Sequence, residues 1–252
     1  MQITPTVKQL LIINILVYIG SQIVGAESYR LLALFYFENP NFQPWQLITH
    51  MFMHASFPNI THILFNMFAL YSFGSALEHF WGGKKFIFFY LSCGLGAALL
   101  QLGFNYYTIN EAVNLLGSHG FSPTEVYALL QGQSIPLNGR EALDMSLLNE
   151  AYGAYAGPMV GASGAIYGLL VAFAFMFPNA ELALLFIPVP IKAKYFVPGI
   201  IAIDLFLGFK GQSIFGSGGT GVAHFAHVGG ALIGFLMMWY WKKSQFDRNR
   251  WN

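Results

Sequence analysis

The sequence predicts an all-α, polytopic membrane protein in which residues 1–252 form a single domain. Hydrophobic residues make up 56% of the chain and charged residues only 9%, whereas soluble domains carry about 25% charged residues. The apolar residues also fall into runs long enough to cross a bilayer as helices. Low charge and long apolar runs together exclude an ordinary soluble fold.

Six apolar runs reach or approach the roughly 20 residues that a spanning helix needs, and we number the predicted helices one to six. The first run also fits a signal peptide, because Lys8 lies at its start and the stretch 24–26 loosely resembles a cleavage site. The proline-rich stretch LFIPVPIKAKY, which leads into the fifth run, predicts a turn at the membrane surface. The six runs are residues 6–25, 60–80, 84–104, 158–178, 193–210 and 223–242.

Lysine and arginine are unequally divided between the two predicted sides of the membrane. With the N-terminus inside, nine of the 12 Lys and Arg residues lie in inner segments. Because cytoplasmic loops carry the excess of positive charge, both termini are predicted to be cytoplasmic, in the inner or plasma membrane of a cell. The inner residues are Lys8, Lys84, Lys85, Lys192, Lys194, Lys242, Lys243, Arg248 and Arg250, and the outer residues are Arg30, Arg140 and Lys210.

Two long segments are predicted on the outer side. Residues 26–59 form the first loop, which is rich in aromatic side chains and poor in charge, so it is expected to lie in the membrane interface. Residues 105–157 are acidic, and Ser122 and Glu125 have the spacing of a capping box ahead of an apolar run. This second segment is predicted to be a small extracytoplasmic helical insert between helices three and four, too short to have its own core.

Helices two, four and six carry unusual polar residues near their outer ends. Helix two has His62 and Asn66, which share one face because they are four residues apart. Ser163 in helix four and His227 in helix six each lie about five residues, or roughly 7 Å, from the start of the helix. The topology therefore brings these four residues to one depth. A lone serine is usually structural, whereas a histidine inside the membrane is by default a functional residue.

Glycines in helices four and six have the spacing that lets helix backbones approach closely. Gly164 and Gly168 form one GxxxG pattern, and Gly230 and Gly234 form another. Most such patterns serve packing alone. Here the close approach also favours a hydrogen bond of about 2.6–3.2 Å between the serine of helix four and the histidine of helix six.

Three short stretches resemble the motifs of the rhomboid intramembrane serine proteases. GASG at 161–164 resembles their GxSG, HILFN at 62–66 resembles HxxxN, and AHVGGALIG at 226–234 resembles AHxxGxxxG. GxSG alone is weak because soluble hydrolases share it, but the three motifs together, in this order, are specific. The resemblance covers most of residues 45–104 and 158–242. It implies a six-helix core, a Ser–His dyad without Asp, and cleavage of membrane-anchored proteins near the outer face.

The catalytic roles are expected to fall on helices four and six. His227 is expected to accept the proton of Ser163, whose oxygen then attacks a peptide carbonyl. Tyr167 lies one turn below the serine, and its ring is expected to pack on the imidazole and hold it in place, as the resemblance also implies. The substrate must unwind before the serine reaches its carbonyl, because a membrane helix makes all its backbone hydrogen bonds internally.

The supporting roles are expected to fall on residues around the serine. The candidate donors to the oxyanion are the Ser163 backbone N–H, His62 and Asn66. Gly161 and Gly164 are expected to keep the space around the serine open. The expected partners are single-pass transmembrane protein substrates and the lipid bilayer, and a net charge of +1 gives no reason to expect nucleic acid.

Two features depart from the pattern of the family. Many members have a Trp-Arg pair in the first loop, whereas Gln46 follows Trp45 here, which is expected to weaken the anchoring of that loop. The insert at 105–157 is also longer than the short connection of the minimal family core.

Two other functions stay open at this point. A rhomboid-like scaffold or chaperone without proteolysis is expected to lack the serine or the histidine, and both are present. A metalloenzyme or metal transporter is suggested by the seven histidines, of which His50 and His54 have the i, i+4 spacing of ligands on a helix. Because no carboxylate or cysteine joins them at that depth and the chain has no HExxH motif, neither a metal nor a cofactor is expected.

Overall fold

The structure is a computed structural model that describes residues 2–136, 145–184, 187–210 and 222–248. Within these ranges the chain is mostly helical, with a 3₁₀ turn at His50–Phe52 and a π-helical turn at Leu70–Gly74. The elements are α1 (Pro5–Val24), α2 (Ala26–Leu32), α3 (Gln46–Thr49), α4 (Ile60–Ala69), α5 (Ser75–Trp81), α6 (Gly83–Ser118), α7 (Pro123–Leu130), α8 (Met145–Ala156), α9 (Ser163–Met176), β1 (Glu181–Leu184), β2 (Ile187–Lys192), α10 (Ala193–Lys210) and α11 (Val222–Arg248).

A helix lies at each of the six predicted positions. Among the described residues, three helical stretches are long and apolar enough to cross a membrane, namely Pro5–Val24, Ile60–Trp81 and Gly83–Ser118. The second of them comprises α4, the π-helical turn and α5. Helix α9 is a shorter apolar helix. Helices α10 and α11 occupy the fifth and sixth predicted positions.

The fourth helix begins at Ser163, and the prediction that it begins at residue 158 is wrong. The preceding residues are drawn into contacts with the first loop. Met159 and Leu34 form an antiparallel bridge whose two N–H···O distances are 2.9 and 2.8 Å. Gly161 then donates its N–H to the carbonyl of His50 at 2.9 Å. Hydropathy does not reveal this start, because the paired residues are as apolar as the helix that follows.

The third helix continues past the predicted end at residue 104. Helix α6 reaches Ser118, so the first part of the predicted insert is an extension of this helix. Helices α7 and α8 pack on the extension, and Ser122 and Glu125 form the predicted capping box. The insert thus shares a hydrophobic core with α6, while its residues 137–144 lie outside the described ranges. The buried residues of this core are Tyr36, Ile109, Ala112, Leu116, Phe121, Val126, Leu130, Leu148, Ala151, Ala154 and Tyr155.

Most of the stretch predicted as a surface turn forms strand β2, which pairs with the preceding strand β1, while its residues 185 and 186 lie outside the described ranges. Strands β1 and β2 pair Glu181 with Lys192 and Leu182 with Ile191. The two prolines of this stretch did not prevent pairing, because a two-stranded sheet has only edge strands, where proline is tolerated.

Small residues bring α6, α9 and α11 into backbone contact. A Cβ added to Gly230 would lie 1.8 Å from the carbonyl oxygen of Gly164, and one added to Gly234 would lie 2.8 Å from the Cα of Gly168. A Cβ on Gly168 would also lie 2.3 Å from the Sγ of Cys93 in α6. The two GxxxG patterns therefore face each other across the α9–α11 interface. This close contact sets the distance between Ser163 on α9 and His227 on α11.

Candidate active site

Ser163 and His227 are brought into hydrogen-bonding distance. Ser163 is the first residue of α9, and His227 lies in the second turn of α11. The Nε2 of His227 is 2.8 Å from the Oγ of Ser163, within the range over which a base takes a proton from a nucleophile. The first N–H groups of an α-helix have no acceptor within the helix, so the start of α9 also presents backbone donors and a positive dipole beside the serine.

Tyr167 packs on the histidine as the sequence predicts. Its ring lies parallel to that of His227, with 4.3 Å between the centroids and 10° between the planes. Since Tyr167 is one turn after Ser163 on α9, the same helix carries the candidate nucleophile and the ring that packs on the candidate base. The stacking restricts rotation of the imidazole away from the serine.

Asp204 of α10 is the site residue that the sequence analysis missed. Its Oδ2 lies 3.3 Å from the Nδ1 of His227 and accepts a hydrogen bond from the Tyr167 hydroxyl. Its Oδ1 lies 2.5 Å from the Nδ1 of His224. The resemblance implied a dyad without Asp, but the structure places a carboxylate against the histidine. The available signal was a lone acidic residue in an apolar helix, which in a membrane usually marks function.

His62 presents a donor to the site in one defined tautomer. The N–H of Ala55 donates to its Nδ1 at 3.0 Å, so in the neutral ring the proton resides on Nε2. That edge borders the same space as the serine, because a Cβ added to Gly161 would lie 3.1 Å from His62 Nε2 and 3.5 Å from Ser163 Oγ. The Nε2–H group is therefore placed where it can stabilise negative charge that develops next to the serine.

Asn66 and Gly164 each make a contact in addition to the role that was expected. Asn66 donates from Nδ2 to the carbonyl of His62 at 2.7 Å, so one of its amide hydrogens is used within α4. A Cβ on Gly164 would lie 2.4 Å from the Cβ of Ala97, so this glycine packs closely against α6, and it also lines a small cavity together with Ser163 and Gly161. Gly161 does border the serine, with a φ of 125° that favours glycine.

Gln46 anchors the first loop, so the expectation that its presence weakens this loop is wrong. Its side chain is fully buried. The Oε1 accepts from the N–H groups of Phe35 at 3.3 Å and Gln43 at 3.1 Å, while Nε2 donates to the carbonyls of Arg30 at 3.1 Å and Asn41 at 2.9 Å. Glutamine suits this position because it offers an acceptor and two donors to four backbone groups.

His50 and His54 do not form a pair of ligands on one helix. His50 begins the 3₁₀ turn and donates from Nδ1 to the carbonyl of Gln46 at 2.7 Å, whereas His54 lies after the turn with its ring centroid 5.3 Å from that of His62. Burial lowers the pKa of His50 to about 4 and that of His54 to about 3, so both rings are neutral at neutral pH. The two side chains support the first loop and the His62 side of the site.

One cluster in the described part of the chain has the donor types of a metal site. Ligand atoms of Asp204, His224 and His227 lie within 4.8 Å of one another. Both histidines direct Nδ1 at the carboxylate, and His227 directs Nε2 at Ser163. These atoms are therefore paired with one another as donors and acceptors, an arrangement that suits proton transfer better than convergence on one cation.

A family model and several known proteins match this chain. A Rhomboid domain family model matches residues 41–244. An uncharacterized mitochondrial rhomboid protein of Schizosaccharomyces pombe is 31% identical over 218 residues, which cover 79% of this chain and 52% of that protein. The mitochondrial Rhomboid protein 1 of Saccharomyces cerevisiae is 25% identical over 203 residues, covering 79% of this chain and 42% of that protein.

A bacterial relative is similar to the same extent. The rhomboid protease AarA of Providencia stuartii is 27% identical over 203 residues, covering 77% of this chain and 54% of that protein. The chain thus spans about half the length of the curated relatives it matches. Its helices and their apolar composition are those of an integral, multi-pass membrane protein. The match over most of its length shows that the chain belongs to the rhomboid family.

Proposed function

We propose that this chain is an intramembrane serine endopeptidase that cleaves membrane-anchored proteins near the outer face of the bilayer. The observation that carries the proposal is the 2.8 Å distance between His227 Nε2 and Ser163 Oγ. Two bacterial relatives, AarA of Providencia stuartii and GluP of Bacillus subtilis, are named rhomboid proteases, which supports the same reaction.

The proposed reaction has two stages. In the first, His227 takes the Ser163 hydroxyl proton as Oγ attacks the peptide carbonyl, and the oxyanion accepts hydrogen bonds from the Ser163 N–H and the His62 Nε2–H. The C–N bond then breaks, and His227 returns the proton to the leaving amine. In the second, water loses a proton to His227 and attacks the acyl-enzyme, which releases the new carboxyl terminus and restores the serine.

The proposed substrates are single-pass transmembrane proteins with small or helix-breaking residues near the outer boundary. A regular membrane helix has no free carbonyl because its backbone hydrogen bonds are made internally. Residues that weaken the helix lower the cost of exposing one carbonyl to Ser163. The relevant test is cleavage of a matched pair of reporter substrates, one with a Gly-Ala pair at the outer boundary and one with Leu-Leu.

The decisive experiment is cleavage of such a reporter by detergent-purified protein, with the product terminus determined by mass spectrometry. We expect one cut close to the outer boundary, unaffected by EDTA. Inactivation by EDTA that added zinc reverses would favour the metalloenzyme. Binding of the reporter without any cut, and without labelling of Ser163 by a fluorophosphonate, would favour a non-proteolytic scaffold.

We also propose that six helices span the membrane with both termini in the cytoplasm and the insert outside, in the inner or plasma membrane. The excess of Lys and Arg on one side supports this orientation. The relatives from Schizosaccharomyces pombe and Saccharomyces cerevisiae are named mitochondrial, which makes a mitochondrial membrane the alternative location. Fractionation of cells that express the tagged chain distinguishes the two membranes.

The orientation predicts a single tryptic cut in the insert from outside. Arg140 is the one Lys or Arg in residues 105–157. Trypsin added to intact cells with a permeable outer layer is expected to cut after Arg140 in the wild type and to leave the insert intact in Arg140→Gln. Immunoblots of terminal tags give the fragment sizes. A cut that appears only in inverted vesicles would overturn the orientation.

Loss of the His62 side chain is expected to lower turnover more than loss of the Asn66 side chain. Removal of one oxyanion donor typically costs about 10²-fold to 10³-fold in kcat. The His62 Nε2 borders the same space as the Ser163 Oγ, whereas Asn66 already bonds within its own helix. Steady-state kinetics of His62→Ala and Asn66→Ala give kcat and KM separately. If both variants keep wild-type kcat and only their melting temperatures fall, the two residues are helix ties.

A further inference from the structure

We propose that Asp204 is a positioning residue for the base, so that Ser163, His227 and Asp204 work as a triad. The inference rests on the proposed function and concerns how His227, the proposed base, is held in place. It differs from the dyad that the resemblance implied, and it is carried by the contacts of one buried carboxylate on α10.

The carboxylate selects the tautomer of His227 that the reaction needs. A neutral imidazole has one N–H group, and an ionised carboxylate only accepts hydrogen bonds. With Oδ2 of Asp204 3.3 Å from Nδ1, the proton resides on Nδ1. The Nε2 atom, 2.8 Å from the Ser163 Oγ, is then an acceptor and can take the hydroxyl proton. In the opposite tautomer Nδ1 would carry no proton, so Nδ1 and the Asp204 Oδ2 would be two acceptors facing each other.

Asp204 is itself held from three directions. Its side chain is only 3% exposed, and a buried carboxylate is stable only where donors surround it. His224 and His227 contact it from α11, and the Tyr167 hydroxyl donates to it from α9. Tyr167 therefore acts twice, since it stacks on the imidazole of His227 and also bonds the group that orients that imidazole.

The two carboxylate oxygens of Asp204 have different histidine partners, which distinguishes a positioning role from a simple tie between two helices. His224 bonds Oδ1 at 2.5 Å and would by itself join α10 to α11. Oδ2 is directed at the candidate base. The His227 side chain is 19% exposed and reaches the site, whereas the carboxylate behind it is 3% exposed. When His227 becomes an imidazolium, its charge lies next to this carboxylate, the role that the aspartate has in serine-protease triads.

The first test is Asp204→Asn, which preserves the shape and replaces one acceptor by a donor. We expect kcat to fall by about 10²-fold to 10⁴-fold with little change in KM, because the amide favours the wrong tautomer. The matched control is Asn105→Ala, which removes another buried tie, from Asn105 Nδ2 to the Ala154 carbonyl at 2.9 Å, away from the site. That control is expected to lower the melting temperature and keep kcat. Wild-type kcat in a folded Asp204→Asn protein would overturn the proposal.

The second test locates the histidine protons of the wild type and uses two histidine variants to assign the signals, so it does not depend on the folding of Asp204→Asn. In protein with ¹⁵N-labelled histidine, we expect one Nδ1-bound proton that is lost in His227→Ala and another that is lost in His224→Ala. A His227 proton found on Nε2 would overturn the proposal. This measurement requires no cleavage, so it tests the triad even if the reporter substrate is not cut. Normal activity of Asp204→Asn would refute the triad and leave the serine-protease proposal intact.

Discussion

We expect Ser163→Ala to abolish cleavage of the reporter substrate while the protein stays folded in the membrane. The change removes one hydroxyl, and loss of the nucleophile in a serine protease costs about 10⁶-fold in kcat, which is below detection here. The helix should tolerate it, because alanine has the highest helix propensity. Cleavage is followed on gels, and folding by the melting temperature in detergent.

The matched control for this variant is Ser118→Ala at the end of α6. Its hydroxyl bonds the Leu115 carbonyl at 2.6 Å, so the same chemical change is made at a helical serine far along the chain from the site. The control is expected to cleave at the wild-type rate. Retained proteolysis by a clean Ser163→Ala preparation would refute the serine-protease proposal.

His227→Ala is expected to stop labelling of Ser163 by a fluorophosphonate almost completely, while His224→Ala keeps most of it. Only His227 contacts the serine, at 2.8 Å, whereas His224 contacts Asp204. Loss of His224 removes one of the donors that hold the carboxylate, so we expect a modest loss of turnover. In-gel fluorescence gives the labelling rate of each variant.

This pair of variants also tests the rotation of α11. The two histidines are three residues apart and buried to different extents, so each serves as the control for the other. If His224→Ala abolishes labelling and His227→Ala keeps it, the register of α11 against α9 is wrong, and the AHxxGxxxG match has assigned the base to the wrong histidine.

The sequence alone was enough to predict which helices meet and which polar residues they carry. The GxxxG patterns of α9 and α11 follow from spacing within one helix, and spacing is a local property. Close packing of those helices then brings Ser163 to His227 and stacks Tyr167 on the imidazole. The family membership predicted from the three motifs is likewise confirmed by the Rhomboid domain match.

Only the tertiary structure decided the features that depend on contacts between distant segments. The start of α9 is set by the pairing of Met159 with Leu34, and Gln46 anchors the first loop through backbone groups that no motif specifies. Asp204 reaches His227 because α10 packs beside α11, and a lone acidic residue does not reveal its partner. Hydropathy and helical periodicity describe one segment at a time, whereas a hydrogen bond between two helices depends on their relative rotation and depth, which the packing of the whole bundle determines.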